Sequence, residues 1–426
     1  RAESYFTAGA QQALDANDFA LAERLAERAT TDATAADRRG ELALVRAEAA
    51  AWSGDPARAI VHARAAVGSL TVGTDAWFAA AAVLAEAAMK RGDAASVSDV
   101  ARRVSEAPWG EATSLARLIS SARVLGAAAR TSSFSAHEAL LTQLEEHAAS
   151  LAETEPLARG WLASARAERA AWTGDAAGVA ELTRAAADAF TEAGDTRASC
   201  THRLRAAFAL LQLGLLSRAE PLLDAVVADA TRLSLGSLLL VARQAMGQLF
   251  SRRGDLARGR EILLDCVERA RAQESPFDEG VAYCYLAGAA RIGGDHETAV
   301  TESRLAIERL TGSPTYLAGA NALLALSLVD LGRAAEAFAP AELAIGTLRA
   351  LGGSVEGELI VRLAWAEALS AKGDAEGARA AIREARERLL AKAARIEDPE
   401  RKKAFLSQIR EHGRILARAG EWLVDA

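Results

Sequence analysis

A glycine–aspartate pair recurs down this chain, at Gly54-Asp55, Gly92-Asp93, Gly174-Asp175, Gly254-Asp255, Gly294-Asp295 and Gly373-Asp374. Gly214-Leu215 and Gly332-Arg333 fall in the same phase, and Asn17-Asp18 begins the series. From Gly54 to Gly373 the spacing averages about forty residues, with one step hidden near residues 131–135. A period of that length in a helix-forming sequence restricts the fold to stacked supersecondary units.

With each stop glycine as position zero, small residues recur at fixed offsets. Seven before it stand Ala10, Ala47, Ala85, Ala167, Ala207, Gly247, Ala287, Ala325 and Ala366. Five after it come Ala22, Ala59, Val97, Val179, Ala219, Gly259, Ala299, Ala337 and Ala378. Twelve after it come Ala29, Ala66, Val104, Ala186, Val226, Cys266, Ala306, Ala344 and Ala385. Offsets five, nine and twelve differ by four and three, so they share one face of one helix.

The pattern predicts a helical hairpin. The glycine ends the first helix in a left-handed conformation, and the aspartate caps the free N–H groups of the second. Pro56 follows one such aspartate, while Pro156, Pro276 and Pro314 stand where first helices should begin. Small residues at −7 and +5 let two backbones approach. An alanine-rich chain would give scattered coincidences, but here stops, prolines and columns share a phase.

A solenoid grows by addition and needs no separate cores, so the 426 residues read as one array over 1–395 with a terminal element over 396–426. Net charge is −7, which argues against a nucleic-acid partner, since phosphate binding calls for clustered positive charge. Three cysteines, Cys200, Cys266 and Cys284, leave an odd count without a CxxC pair, so a reducing, cytoplasmic setting is expected. No apolar run approaches a membrane span. The chain starts at Arg1 rather than methionine, so more protein is expected upstream.

These columns resemble the tetratricopeptide repeat, with its small residues at three helical positions and a turn between two helices. The resemblance covers roughly residues 4–390. The forty-residue unit departs from the usual thirty-four and is similar to the long-helix variety in sensor arms of large bacterial regulators. It implies an all-α, right-handed α-solenoid of about ten helix-turn-helix repeats with a C-terminal capping helix. The unit near 112–150 is degenerate, with Thr131-Ser132-Ser133 in place of the stop. From Arg401 to Trp422 no internal stop appears, so one long helix is expected to cover the last hairpin. That tail resembles those joining protein-kinase or signalling-ATPase modules to such repeats, so an upstream kinase or ATPase domain is the expected neighbour.

No enzyme signature is present, and no catalytic, cofactor-binding or metal residue is expected. A GxxxxGK[ST] loop is missing, and Gly352-Gly353-Ser354-Val355-Glu356-Gly357 has neither GxSxG spacing nor a position other than an inter-repeat loop. The six histidines form no HExxH motif. Cys200 and His202, two apart on a helix, point to different sides and read as structural. An enzyme would need a site invisible to these patterns.

Binding is the remaining reading. Six residues before the stop stand Glu48, Glu86, Glu168 and Glu367, with Phe208, Gln248, Gly288 and Leu326 in the same column of other units. In the repeat family this column lines the concave groove, so the resemblance implies a groove acidic toward its N-terminal half and more apolar in the middle, joined by Leu204, Leu211 and Val241. Either these glutamates receive a basic or amphipathic segment of a protein or peptide partner, or they pair with arginines such as Arg46 and Arg166. Surface pairs of that kind are nearly neutral in energy. Asparagine occurs only at Asn17 and Asn321, and lysine at five positions, so neither the lysine–asparagine carboxylate clamp of chaperone-tail binders nor the asparagine ladder of peptide-pheromone receptors can be assembled. The sequence therefore reads as a non-enzymatic interaction module in a bacterial signalling protein, with a free-standing adaptor or scaffold as the alternative.

Overall fold

The computed structural model describes residues 2–30, 35–107, 114–129, 138–352 and 357–423. Every regular element among them is an α-helix. The first ten are α1 (Ala2–Asp15), α2 (Phe19–Thr30), α3 (Ala36–Ser53), α4 (Pro56–Ser69), α5 (Asp75–Lys90), α6 (Ala94–Glu106), α7 (Leu115–Ala129), α8 (Glu138–Thr154), α9 (Pro156–Thr173) and α10 (Ala176–Glu192). Next come α11 (Thr196–Gln212), α12 (Leu216–Arg232), α13 (Gly236–Arg253), α14 (Leu256–Ala272), α15 (Pro276–Ile292) and α16 (His296–Arg309). The last are α17 (Pro314–Asp330), α18 (Ala334–Ala350), α19 (Glu358–Lys372), α20 (Ala375–Ala394), α21 (Pro399–Ser407) and α22 (Arg410–Trp422). Odd-numbered helices up to α19 precede a stop position and even-numbered ones follow it.

The stops work as the sequence predicts. Gly54, Gly92, Gly174, Gly214, Gly254, Gly294, Gly332 and Gly373 all have positive φ, and Asn17 takes the same conformation at φ 63°. At Gly54 the amides of Gly54 and Asp55 return to the Ala51 and Ala50 carbonyls, closing the helix end. Asp55, Asp93, Asp255, Asp295 and Asp374 then accept from the backbone N–H three residues on. Each such cap is worth about 1 kcal/mol. Pro156, Pro276 and Pro314 open α9, α15 and α17.

The small columns are where helices meet. Ala47, Ala167 and Ala287 are wholly inaccessible, as are Ala22, Ala59, Ala299, Ala66, Cys266 and Ala344. The α13–α14 hairpin carries glycine in both columns, and there the two helices approach closely. A Cβ on Gly259 would lie 2.8 Å from the Gly247 carbonyl oxygen and 2.2 Å from the Ser251 hydroxyl. That hydroxyl already donates to the Gly247 carbonyl at 2.8 Å.

The chain divides into two compact units. Unit 1 comprises Arg1–Arg169, Glu181–Arg203 and Ala228–Leu239, and unit 2 comprises Ala170–Ala180, Leu204–Val227 and Leu240–Ala426. In unit 1, α1, α3, α5 and α7 pack in succession, each against its own partner helix. One apolar cluster there runs from Ala47 to Ala165. The degenerate repeat is still a helical pair, α7 with α8, although Thr131-Ser132-Ser133 lies outside the described residues. In unit 2, α15, α17 and α19 pack in the same way. Most of the glycine-rich segment 352–357 also lies outside the described residues.

The end of the chain corrects one expectation. Two helices, α21 and α22, replace the single long one. Ile409 is extended between them (φ −100°, ψ 116°). The His412 ring accounts for the break: its Nδ1 lies 2.7 Å from the Phe405 carbonyl oxygen, which a continuous helix would have used for a backbone bond. Neither glycine nor proline marks this position, so no local signal announces it.

Candidate partner-binding faces

The column six residues before the stops falls on the first helix of each hairpin, and its members meet different fates. In unit 1, Glu86 on α5 is gripped by Arg123 on α7 through two parallel bonds of 3.0 and 2.7 Å. Its side chain remains 37% exposed. Glu48 on α3 is half-buried and makes no direct ion pair among the described residues. Burial pushes its carboxyl above the ordinary value, and Arg123 and Arg197 act against that shift through space. Burial also opposes the charge of Arg123, but Glu86 and Glu48 outweigh it and hold the guanidinium firmly protonated. Glu168 on α9 is buried, with its carboxylate beside Gly126 on α7, where a Cβ would stand 3.4 Å from Oε1, an ordinary contact.

Arg197, at the start of α11, ties unit 1 together. It donates to Asn17 Oδ1 at 2.5 Å and to the Leu14 carbonyl, and lies 5.6 Å from the ring centres of both Phe19 and Trp52. Asn17 is thus committed to the first turn. Asn321 is committed likewise, donating to the Leu317 carbonyl at 2.9 Å.

In unit 2, Phe208 and Gln248 are half-buried, whereas Leu326 is fully buried. Leu204 and Leu211, expected to join an apolar face, are instead packed inside, at 4% and 1% exposure. Glu367 on α19 is 3% exposed and is covered by the chain's own end: Arg414 and Arg418 of α22 donate to its Oε1 at 2.5 and 3.0 Å. Arg414 also reaches Asp330 of α17 at 2.9 Å. Burial opposes the charges of Arg414 less than these carboxylates favour it.

Arg123 thus serves Glu86, and Arg414 and Arg418 serve Glu367. Arg46 and Arg166 turn to Glu27 (3.7 Å) and Glu145 (2.9 Å) instead. Arg123 sits in the degenerate repeat, where alignment fails, and the α22 arginines lie far along the chain. The spacing of Arg410, Arg414 and Arg418 at i, i+4 and i+8 was the one signal available for the latter.

The remaining candidates are structural. His202 lies 2.8 Å from both the Ala198 carbonyl oxygen and the Ser164 hydroxyl, packed against Phe190 and Trp161. Cys200 and Cys266 are buried, and burial pushes their thiols up to about 11 and about 12. Such thiols are poor nucleophiles near neutral pH. Among the described residues, no three His, Cys, Asp or Glu side chains stand close enough to hold a metal ion. No described helix is long and apolar enough to cross a membrane.

No protein-family model and no curated protein matches the sequence. Solved structures do match. A Rap protein complexed with competence and sporulation factor superposes with a TM-score of 0.56 at 12% identity, covering 82% of this chain and all of that one. Yeast Tom70 aligns over 99% of this chain and 89% of its own at 13% identity and a TM-score of 0.46. A Signal Transduction ATPase with Numerous Domains (STAND) protein with a tetratricopeptide repeat sensor, from Pyrococcus horikoshii, gives 14% identity, 90% and 55% coverage, and 0.46. At these identities what is shared is the fold. The chain has the fold of a tetratricopeptide-type α-solenoid.

Proposed function

We propose that the chain is a non-enzymatic protein–protein interaction module, the sensor or regulatory arm of a larger bacterial signalling protein, and that a partner segment binds along the first helices of the array. The observation that carries this reading is the acidic column of unit 1. Glu48 is half-buried without a direct counter-ion, and Glu86 remains partly exposed beside it. A half-buried carboxylate without a partner is unfavourable in the free protein, so a cation brought by a partner gains more there than at a solvated surface. The column would therefore take a basic or amphipathic segment, with Phe208 and Gln248 offering apolar and polar contacts elsewhere. The Rap protein, whose fold is similar, was solved with a bound factor, and stacked hairpins commonly present one extended surface to a partner. The signalling-arm reading draws on the long repeat and its resemblance to bacterial sensor arms.

A partner recovered from host cells by cross-linking should bind E48Q/E86Q at least tenfold more weakly than wild type at low salt. Unchanged affinity, with native helical content, removes the acidic column from the reading. Glu168 is omitted from this variant because its burial would confound binding with folding. The open reading frame upstream of Arg1 should encode a kinase or ATPase module, and a start codon close by would leave the adaptor alternative instead.

A further inference from the structure

One contact in unit 1 joins residues that the succession of repeats does not bring together. Arg197, near the start of α11, donates to Asn17 Oδ1, 180 positions away in the chain, and to the Leu14 carbonyl. It also reaches the Asp15 carbonyl at 3.4 Å. Those carbonyls belong to the C-terminal end of α1, where the helix dipole favours a cation. The next stop meets the later chain as well: a Cβ on Gly54 would stand 3.5 Å from that of Ser237, at the start of α13. Asn17, Trp52, Arg197 and Ser237 are all half-buried. This seam therefore reaches solvent, unlike the wholly inaccessible columns at Ala10, Ala22 and Ala47 where successive helices touch.

The seam lies beside the half-buried member of the acidic column. Trp52 stands one turn beyond Glu48 on α3, on the same face, and Arg197 lies 5.6 Å from its ring centre. Burial acts most strongly on the Glu48 carboxyl and raises it. Arg123 of α7 and Arg197 of α11 pull it down, while Glu86 of α5 and Asp15 of α1 push it up. Charges on four first helices besides its own thus converge on one carboxyl. Each unit of such an array packs mainly on its neighbours, so small rotations between units add up. Their sum falls on the seam, where α11 and α13 return to the first two hairpins.

We propose that this seam gates the acidic column: with Arg197 seated on Asn17 and Leu14 the approach to Glu48 is closed, and release of Arg197 opens it to a cationic side chain of the partner. This rests on the proposed binding role of the column and adds how that site is regulated. Opening gives up the Arg197 bonds and its pull on Glu48, and an arriving ammonium or guanidinium supplies the lost pull. The partner binds only the open fraction, so a closed seam lowers its apparent affinity. The first two hairpins keep their own packing throughout, since only the seam separates.

The test needs no partner and uses the full chain with two footprinting reagents. Hydroxyl radicals report the seam through oxidation of Trp52, and a water-soluble carbodiimide with glycinamide reports access to Glu48. Asn17→Gly removes the Oδ1 acceptor, suits the left-handed backbone at that position and leaves the Arg197 charge in place. It should raise both rates about fivefold, the scale of one lost hydrogen bond, while Glu145 and Glu153 label as in wild type. Arg197→Lys keeps the charge but loses the forked reach of the guanidinium, and should shift both rates in the same direction. Trp52 made reactive while Glu48 labels at the wild-type rate would mean that the seam opens without gating the column, and the proposal falls. Unchanged rates for both residues, in variants of native helical content, would show that Arg197 does not hold the seam, with the same consequence. Neither result bears on the affinity of E48Q/E86Q for a partner, so failure of the gate is separable from failure of the binding reading.

Discussion

Unit 1 and unit 2 are built from the same hairpin yet treat the same column in opposite ways. In unit 1 the acidic members are served from within the array: Arg123 of the next first helix takes Glu86, and Glu48 has only the distant pull of Arg123 and Arg197. In unit 2 Glu367 is covered by arginines from a segment more than forty residues further along the chain. The lesson is that a repeat fixes where a side chain emerges and leaves open what meets it. A column read as a binding surface can be open, cross-paired or already occupied, and the energetic consequence of each glutamate follows its company rather than its register.

The comparison presumes that the small columns are equally intolerant in both units. Ala167→Phe and Ala287→Phe should therefore each cost about 3 kcal/mol, the upper part of the usual range for overpacking a closed helix contact, measured by urea denaturation. A variant that keeps wild-type stability would show that its hairpin does not pack as described.

The sharper contrast is between Glu367→Gln and Glu86→Gln. The first removes a buried charge that two arginines share and should cost about 2 kcal/mol. The second touches a partly exposed pair and should stay within about 0.5 kcal/mol. Equal effects would erase the difference between the units. It would also help to follow the amide exchange of α22 in both variants, since only Glu367→Gln should accelerate it.

The smallest effect concerns pH. Burial holds the His412 imidazole below its ordinary value, with Arg252 and Lys392 acting in the same direction and the Phe405 carbonyl and Glu411 against it. The folded tail thus binds the proton less readily than the free tail does. Its docking should be fully favourable above the ordinary histidine value and weaken as pH falls below it. Exchange of α22 amides, corrected for intrinsic rates, should be faster at pH 5.5 than at 7.5. His412→Gln should flatten that dependence.

Much of this architecture was legible in the residues because its signals are local. A glycine needing positive φ, an aspartate three residues from an N–H it caps, and a proline at a helix start each act within one turn. Their common phase exposes the hairpin, and the buried columns at Ala47, Ala167 and Ala287 follow from it. The degenerate repeat shows the limit. Leu115–Ala129 and Glu138–Thr154 form a hairpin without a glycine–aspartate stop, because the neighbouring units supply the apolar surface that a weak local signal does not. The residues of the acidic column were legible too, but not their partners. Leu204 and Leu211 have the composition of an exposed apolar face and are buried, and nothing short of packing distinguishes the two.

The sequence by itself determined the hairpin, its period, its caps and the positions where two helix backbones touch, because each depends on chemistry within a few residues. Only the tertiary structure decided which arginine answers which glutamate, where the terminal helix breaks, and that the chain's end lies across α17 and α19. Those outcomes join residues tens of positions apart, and they are settled by burial and charge pairing in the folded protein, for which neighbouring residues carry no record.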